Sequence, residues 1–174
     1  VESAAGTAAI PDRVTRELST GKLAAFVVHK QRKPVSDITF RDGTGKERSI
    51  SEWRGRIVLL NLWATWCAPC RKEMPDLAKL QRLLGGDDFE VVAISVDRKG
   101  AEASARFLIE AQATSLALYI DRSARILNPL GAIGLPATYL IDRQGNEIGR
   151  ILGPADWASE DALRLVAAAL KEQG

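Results

Sequence analysis

The sequence is poor in residues that bind metals or cross-link chains, since its 174 residues include two cysteines, one histidine and one methionine. Most metal centres need more soft ligands than this. No uninterrupted apolar run approaches the roughly 18 residues that a membrane-spanning helix needs. The formal net charge of +2 gives no electrostatic reason to expect nucleic acid as a partner. A content of 46% apolar and 26% charged residues is typical of a globular protein with one core and excludes disorder.

The first residues give little information about the cellular compartment. The chain begins with Val1, and residues 2–10 (ESAAGTAAI) are small and weakly patterned, as a tether would be. They lack the basic start and apolar centre of a signal peptide. The apolar spacing over residues 11–28 predicts an added amphipathic N-terminal helix. Residues 30–34 (KQRKP) then predict a short basic linker.

The rest of the sequence alternates strand and helix patterns. The apolar run at 57–64 is typical of a central strand that is covered on both faces. Parallel strands joined by crossover helices follow it, and a last hairpin adds antiparallel strands at one side. The sequence therefore predicts an α/β fold, a three-layer sandwich with helices on both faces of the sheet. The expected strands are 37–40, 47–50, 57–64, 89–96, 116–120, 137–141 and 147–152, and the expected helices are 51–55, 68–84, 101–111, 124–130 and one that opens at Ser159.

The two cysteines stand three positions apart in the segment WCAPC at 66–70, where a strand turns into a helix. Backbone N–H groups and the positive end of the helix dipole would lower the pKa of the Cys67 thiol below its usual value of about 8.5. Residues three apart share a helix face, so Cys70 can close a disulfide after Cys67 has attacked. Pro69 is tolerated in a first turn and stiffens it. The pattern predicts thiol–disulfide exchange, with Cys67 as nucleophile and Cys70 as resolving thiol.

Two other interpretations of the cysteine pair stay open. A structural disulfide would close a loop too short to restrain the unfolded chain much. A metal site would need further soft ligands, for which His29 and Met74 are the candidates, but we expect His29 at the surface and Met74 in the core. A copper(I) site made by the Cys67 and Cys70 thiolates alone needs neither residue.

A long segment around the cysteines, residues 60–75 (LNLWATWCAPCRKEMP), resembles the active-site segment of the TlpA-like branch of the thioredoxin superfamily. The resemblance extends to residues 91–97 (VVAISVD), 134–142 (GLPATYLID) and 37–55, and it covers roughly residues 35–172. It implies a thioredoxin fold with an N-terminal β-hairpin and the added N-terminal helix.

The resemblance implies roles for several residues near the cysteines. Pro136 matches a cis-proline that would lie beside the disulfide, and Leu135 would present backbone groups to a bound partner. Glu73 matches an acidic residue three positions after the second cysteine, which could take or relay the Cys70 proton. Asn61 stands where ordinary thioredoxins keep a buried aspartate as proton acceptor, so the general base must be elsewhere. The expected partner contacts are Trp66, Ala68, Pro69, Leu135 and Pro136, and Trp63 is expected in the core.

In function, the resemblance implies a periplasmic protein-disulfide reductase with no cofactor besides the Cys67–Cys70 disulfide. The implied partners are disulfide-bearing periplasmic proteins, namely a copper chaperone, an oxidase copper subunit or apocytochrome c, with a membrane thiol reductase as electron donor. Residues 1–34 would be a helix and membrane-proximal spacer, anchored to the inner membrane through a segment outside this chain. Residues 35–174 would be the thioredoxin-like domain, and we expect a monomer.

Three alternatives accompany this interpretation. A cytochrome c maturation reductase differs only in its partner. A copper(I)-binding chaperone of the same fold usually needs a histidine well downstream of the cysteines, and no histidine follows His29. A peroxidase needs a Thr/Ser-x-x-Cys pattern, whereas Thr65 precedes Cys67 by only two positions.

Overall fold

A computed structural model describes residues 9–173, which form a mixed eight-stranded sheet and three α-helices. The strands are β1 (Val27–Pro34), β2 (Thr39–Asp42), β3 (Glu47–Ser49), β4 (Ile57–Trp63), β5 (Phe89–Ser95), β6 (Tyr119–Ile120), β7 (Ala137–Ile141) and β8 (Asn146–Leu152). The helices are α1 (Ala68–Leu84), α2 (Gly100–Glu110) and α3 (Glu160–Lys171). Short 3-10 turns lie at Arg16–Leu18, Gly21–Leu23, Ile50–Trp53 and Arg125–Leu127.

Strand β4 lies in the middle of the sheet, whose order is β1-β8-β7-β4-β5-β6-β2-β3. It pairs in parallel with β5 and antiparallel with β7. All seven of its residues are buried. Since Asn61 is its one residue with a polar side chain, β4 suits a position covered on both faces. The predicted α/β class is confirmed.

Helices α1 and α2 cover the same face of β4. Asn61 and Trp63 are two residues apart on β4, so their side chains point to one face. The Asn61 amide contacts Glu73 of α1, and the buried Trp63 ring lies 5.5 Å from the Phe107 ring of α2. The crossovers from β4 through α1 to β5 and from β5 through α2 to β6 run in the same direction across the sheet. Because such crossovers are right-handed, both helices lie on the same face. The carboxyl ends of β4 and β5 therefore meet the starts of α1 and α2 at one edge.

The predicted N-terminal helix is wrong. Residues 11–28 contain two 3-10 turns instead, and β1 pairs antiparallel with β8. Gly21 has a φ of +53°, a left-handed conformation that interrupts a helix. Val14, Leu18 and Leu23, whose spacing predicted the helix, are nevertheless buried in the core. The spacing therefore indicated burial correctly but not the helix. The basic linker predicted at 30–34 belongs to β1, and most of the tether predicted at 2–10 lies outside the described residues.

Long-range contacts hold β1 in place. The Arg32 guanidinium donates two hydrogen bonds of 2.7 Å to the Glu172 carboxylate and one of 3.1 Å to Asp142. On β8, a Cβ at Gly149 would meet the Val27 carbonyl oxygen at 2.3 Å, so the close approach of the two strands requires glycine there. These contacts join residues more than a hundred positions apart, which local sequence patterns do not report.

Other elements differ from prediction mainly in length. The predicted helix at 124–130 is only the 3-10 turn at Arg125–Leu127, and the expected turn at 51–55 begins earlier, after the Ser49 cap. The β2–β3 hairpin joins the sheet beside β6. Helix α1 and strand β7 have the predicted bounds. Within residues 9–173, no helix combines the length and apolarity needed to cross a membrane.

Candidate active site at Cys67 and Cys70

The two cysteines lie at the junction of β4 and α1. Cys67 is the N-cap of α1, and its sulfur accepts a hydrogen bond of 3.3 Å from the Cys70 backbone N–H. Pro69 falls in the first turn, where its missing N–H costs no helical hydrogen bond. Cys67 and Cys70 form a disulfide with 5.3 Å between their Cα atoms. The strand-to-helix junction thus places the pair as the sequence predicted.

The two sulfurs differ in their access to solvent. Cys67 is 6% exposed and Cys70 is fully buried, while Ala68 and Pro69 between them are exposed. The start of α1 stabilises a thiolate at Cys67 through the helix dipole and nearby N–H groups. This arrangement gives a partner protein a route to Cys67 and keeps Cys70 beneath it.

Glu73, one turn after Cys70, is a buried carboxyl on the protein side of the disulfide. It is 3% exposed, and its two oxygens accept hydrogen bonds from the Asn61 side-chain amide (3.0 Å) and the Ala155 backbone N–H (3.2 Å). Burial raises the pKa of Glu73 to about 7, and these hydrogen bonds oppose the shift only in part. Glu73 can therefore exchange a proton near neutral pH, as a general acid–base group must.

Asn61 supports Glu73 and is itself held by Thr138, and sequence reasoning gave neither residue an active role. Asn61 is fully buried, and its Nδ2 donates both to Glu73 Oε1 and to Thr138 Oγ1, each at 3.0 Å. Because both amide hydrogens are used, the orientation of the Asn61 side chain is fixed. Asn61 Oδ1 has no hydrogen-bond partner within residues 9–173. The one available sequence signal was a lone polar residue inside the apolar run of β4.

On the solvent side of the disulfide, an open groove lies between Trp66 and the loop that ends at Pro136. The Leu135–Pro136 bond is cis, as the resemblance implied. Trp66 is 68% exposed and Ile133 is 91% exposed, and both line the groove together with Leu135. Of the predicted partner contacts, Trp66 and Leu135 line this groove, whereas Ala68 and Pro69 line a second groove beside Glu73.

Asp97 anchors the loop that carries Trp66. Its carboxylate accepts hydrogen bonds from the Thr65 backbone N–H (3.0 Å), the Thr65 hydroxyl and the Lys99 backbone N–H (2.9 Å). Burial opposes ionisation of Asp97, but these hydrogen bonds outweigh it, so its pKa lies below the usual value. Sequence reasoning assigned Asp97 no function, although a polar residue directly after a parallel strand is typical of a site at the sheet edge.

The residues considered as further metal ligands do not join the cysteines. Met74 is fully buried and belongs to the hydrophobic core, and His29 contacts Glu147 across the β1–β8 pair. Strand β1 lies three strands away from β4. In the described part of the chain, no group of three or more histidine, cysteine or acidic side chains is arranged to hold a metal ion.

Comparison with known proteins places this geometry in a family. The model of the AhpC/TSA family matches residues 32–146. The chain belongs to the AhpC/TSA family. It is 34% identical over 116 residues to the thiol-disulfide oxidoreductase ResA of Geobacillus kaustophilus, covering 67% of this chain and 65% of that protein. It is 33% identical over 109 residues to ResA of Geobacillus thermodenitrificans, covering 63% of this chain and 62% of that protein. The chain thus spans somewhat less than two thirds of these relatives.

Solved structures confirm the thioredoxin-like fold. A putative thiol:disulfide interchange protein DsbE from Chlorobium tepidum superposes with a TM-score of 0.72 at 28% identity, over 81% of this chain and 98% of that one. A DsbF homologue from Corynebacterium diphtheriae gives a TM-score of 0.66 at 26% identity, over 83% of this chain and 90% of that one. The resemblance to TlpA-like thiol:disulfide oxidoreductases is confirmed.

Proposed function

We propose that this protein is a thiol:disulfide oxidoreductase that reduces disulfides in partner proteins. The observation that carries the proposal is the position of Cys67 at the N-terminus of α1, slightly exposed, with Cys70 buried directly beneath it. A structural disulfide needs neither the helix N-terminus nor the exposed groove beside it. The names of the relatives, thiol-disulfide oxidoreductase and thiol:disulfide interchange protein, support the same activity.

The reduced protein would act in two exchange steps. The Cys67 thiolate attacks one sulfur of the partner's disulfide, forms a mixed disulfide and releases the other partner sulfur as a thiolate. Cys70 then loses its proton and attacks the Cys67 sulfur, which frees the second partner thiolate and leaves the Cys67–Cys70 disulfide. Two electrons pass from the dithiol to the partner, and a thiol reductase must supply two electrons to restore it.

Glu73 is the residue that we assign to the Cys70 proton. It lies one turn from Cys70 on the same helix face, and its pKa of about 7 lets it accept a proton at neutral pH and give it up again. Asn61 occupies the buried polar position on β4 but has no titrating group. The general base of the second step is therefore Glu73, held by the Asn61 amide and the Ala155 N–H.

The partner contacts and the compartment complete the proposal. Trp66 and Leu135 line the groove on one side of Cys67, Pro136 follows Leu135 through the cis bond, and Ala68 and Pro69 form the exposed turn above Cys70. We place the protein in the periplasm, tethered to the inner membrane and re-reduced by a membrane thiol reductase. Its partners are then a copper chaperone, an oxidase copper subunit or apocytochrome c, as the TlpA-like resemblance implies.

Reduction of insulin by dithiothreitol tests the activity, with turbidity of the released B chain as the signal. The wild-type protein should accelerate the reaction, and Cys67→Ser should return it to the uncatalysed rate. Cys70→Ser retains the nucleophile but should lose turnover because the mixed disulfide is no longer resolved. Wild-type activity in Cys67→Ser would refute the assignment of the nucleophile, and no acceleration by the wild type would refute the proposed function.

A further inference from the structure

The groove beside Cys67 has a positively charged rim. It is bordered by the loop that joins β5 to α2, where Arg98 and Lys99 are both exposed and both line the groove. Within residues 9–173, neither the Arg98 guanidinium nor the Lys99 ammonium forms an ion pair. Two cations without ion-pair partners therefore line the same groove as Trp66, the residue that precedes Cys67.

No acidic side chain of the groove neutralises this rim by direct contact. Asp97 also lines the groove, but it is 2% exposed, and its two carboxylate oxygens are occupied by Thr65 and by the Lys99 backbone N–H. Its charge holds the loop that carries Trp66 and also attracts the Lys99 ammonium, without forming an ion pair with it. The Arg98 and Lys99 side chains consequently face solvent and whatever polypeptide enters the groove.

The same groove has apolar walls. Trp66 and Ile133 are among the most exposed large hydrophobic residues of the described chain, and Leu135 is half-buried between them and the core. An exposed apolar patch with a charged rim is the form of a protein-binding surface. The occupant must also bring a disulfide to Cys67, which excludes most small molecules.

The opposite flank of the 67–70 turn is predominantly acidic. A second groove, on the other flank of the 67–70 turn, is lined by Asp76 and Asp156 together with Lys72 and the buried Glu73. A partner chain that crosses the Cys67–Cys70 turn would pass from a basic groove to a predominantly acidic one. The two flanks thus differ in the side chains that they attract.

Building on the proposed reductase function, we propose that the groove of Trp66, Ile133 and Leu135 selects partner polypeptides that carry acidic residues beside their disulfide. The apolar walls hold a hydrophobic residue of the partner, and Arg98 and Lys99 attract the partner's carboxylates next to it. A second copy of this chain fits the groove less well, because its two cysteines are already buried in its own site. Charge complementarity of this kind favours one class of partner over another.

Matched synthetic peptides test the proposal. Three peptides share a disulfide and an adjacent leucine and differ only in the residues flanking the cysteines, which are Asp, Asn or Lys. We expect kcat/KM of the wild type to decrease in the order Asp, Asn, Lys, with about tenfold between the extremes at low salt. The difference should shrink as ionic strength rises, because the rim is exposed.

Three double variants locate the effect. Arg98→Glu with Lys99→Glu should invert the peptide order, whereas Lys30→Glu with Lys33→Glu changes the net charge by the same four units at exposed sites on β1 and should preserve it. Arg98→Gln with Lys99→Gln should give nearly equal rates for the three peptides. This variant replaces Arg98→Glu with Lys99→Glu in the test if the charge-reversed protein folds poorly. An unchanged order in the rim variants, or an equal effect of the distant pair, would overturn the proposal.

A binding measurement separates this proposal from the proposed function. The same peptides with alanine in place of cysteine cannot react, so their affinities, measured by calorimetry, report the groove alone. If none of the disulfide peptides is reduced, the reductase function fails, while the affinity order still decides the charge preference. Equal affinities would overturn the preference, as would a wild-type dimer in sedimentation that dissociates in the Arg98 and Lys99 variants, since a second copy would then occupy the groove.

Discussion

The two flanks of the Cys67–Cys70 turn are built from different chemistry. On one flank the groove is open and apolar, with exposed Arg98 and Lys99 at its rim. On the other, Glu73 is buried among Asn61 and the Ala155 backbone, and its pKa is raised to about 7. The difference separates two tasks. In the proposed function, the open flank meets the partner, and the buried flank handles the proton that the second exchange step must remove.

The largest expected effect follows from removing the buried carboxyl. Glu73→Gln should slow resolution of the mixed disulfide about 100-fold, since general base catalysis typically contributes a factor of that order. Stopped-flow mixing with a fluorescent disulfide peptide measures the step. In the wild type, the rate should rise through a transition near pH 7 as Glu73 becomes a carboxylate, and Glu73→Gln should lack that transition.

The matched control is Asp76→Asn, which makes the same carboxyl-to-amide change three residues away on α1. We expect it to retain the transition near pH 7. A similar loss in Arg98→Gln with Lys99→Gln would contradict the division of tasks between the flanks.

The second prediction concerns stability and needs no partner. The folded pKa of Glu73 is raised above its unfolded value, so its contribution is fully present below about pH 4.5 and is lost as the pH rises through about 7. The difference in unfolding free energy between wild type and Glu73→Gln should therefore change by about 3 kcal/mol between pH 4 and pH 8, in favour of the variant at high pH. Urea denaturation of the disulfide form at each pH measures it, and a constant difference would refute the raised pKa.

A third prediction alters the support of Glu73. Asn61→Asp places a second carboxyl beside Glu73 and removes an amide donor, and both changes disfavour the Glu73 carboxylate. The kinetic transition near pH 7 should move upward by about one pH unit or more. Asn128→Asp adds the same charge at an exposed position and should leave the transition where it is. A transition unchanged in Asn61→Asp would show that Asn61 does not control the Glu73 proton.

The smallest expected effect concerns the two carboxyls of the acidic groove, Asp76 and Asp156. Burial raises the pKa of Asp76, and the negative charge of Asp156 raises it further. Asp156→Asn should therefore lower the pKa of Asp76, as followed by carbon NMR of the carboxyl group. An unchanged Asp76 titration would mean that the negative charge of Asp156 does not act on Asp76.

The parts of the site that local patterns specify were predictable from sequence. The buried apolar strand β4, the helix α1 from Ala68 to Leu84 and the cysteine spacing follow from short-range rules of burial, capping and helix geometry. The chemistry of the pair then follows from its place at the helix N-terminus. For the bond before Pro136, the residues alone left cis and trans open, since X-Pro bonds adopt cis readily and Gly134 suits a tight loop, and the family resemblance decided for cis.

The features that failed or were missed depend on contacts far apart in sequence. The segment 11–28 has helix-compatible apolar spacing, but Gly21 and the pairing of β1 with β8 override it. The two valines at the start of β1 were the available strand signal. Likewise, Asn61 and Thr138 meet only because β4 and β7 are neighbours. The fixed orientation of Asn61, which donates to Glu73, could therefore not be inferred from either segment alone.

Mass spectrometry of trapped mixed disulfides tests the central claim most directly, that Cys67 attacks and Cys70 resolves. Reduced Cys70→Ser and reduced Cys67→Ser are each mixed with the acidic disulfide peptide and quenched with acid. Cys70→Ser should accumulate a stable adduct at Cys67, and Cys67→Ser should accumulate almost none because its remaining thiol is buried. An adduct that forms faster at Cys70 than at Cys67 would contradict the account.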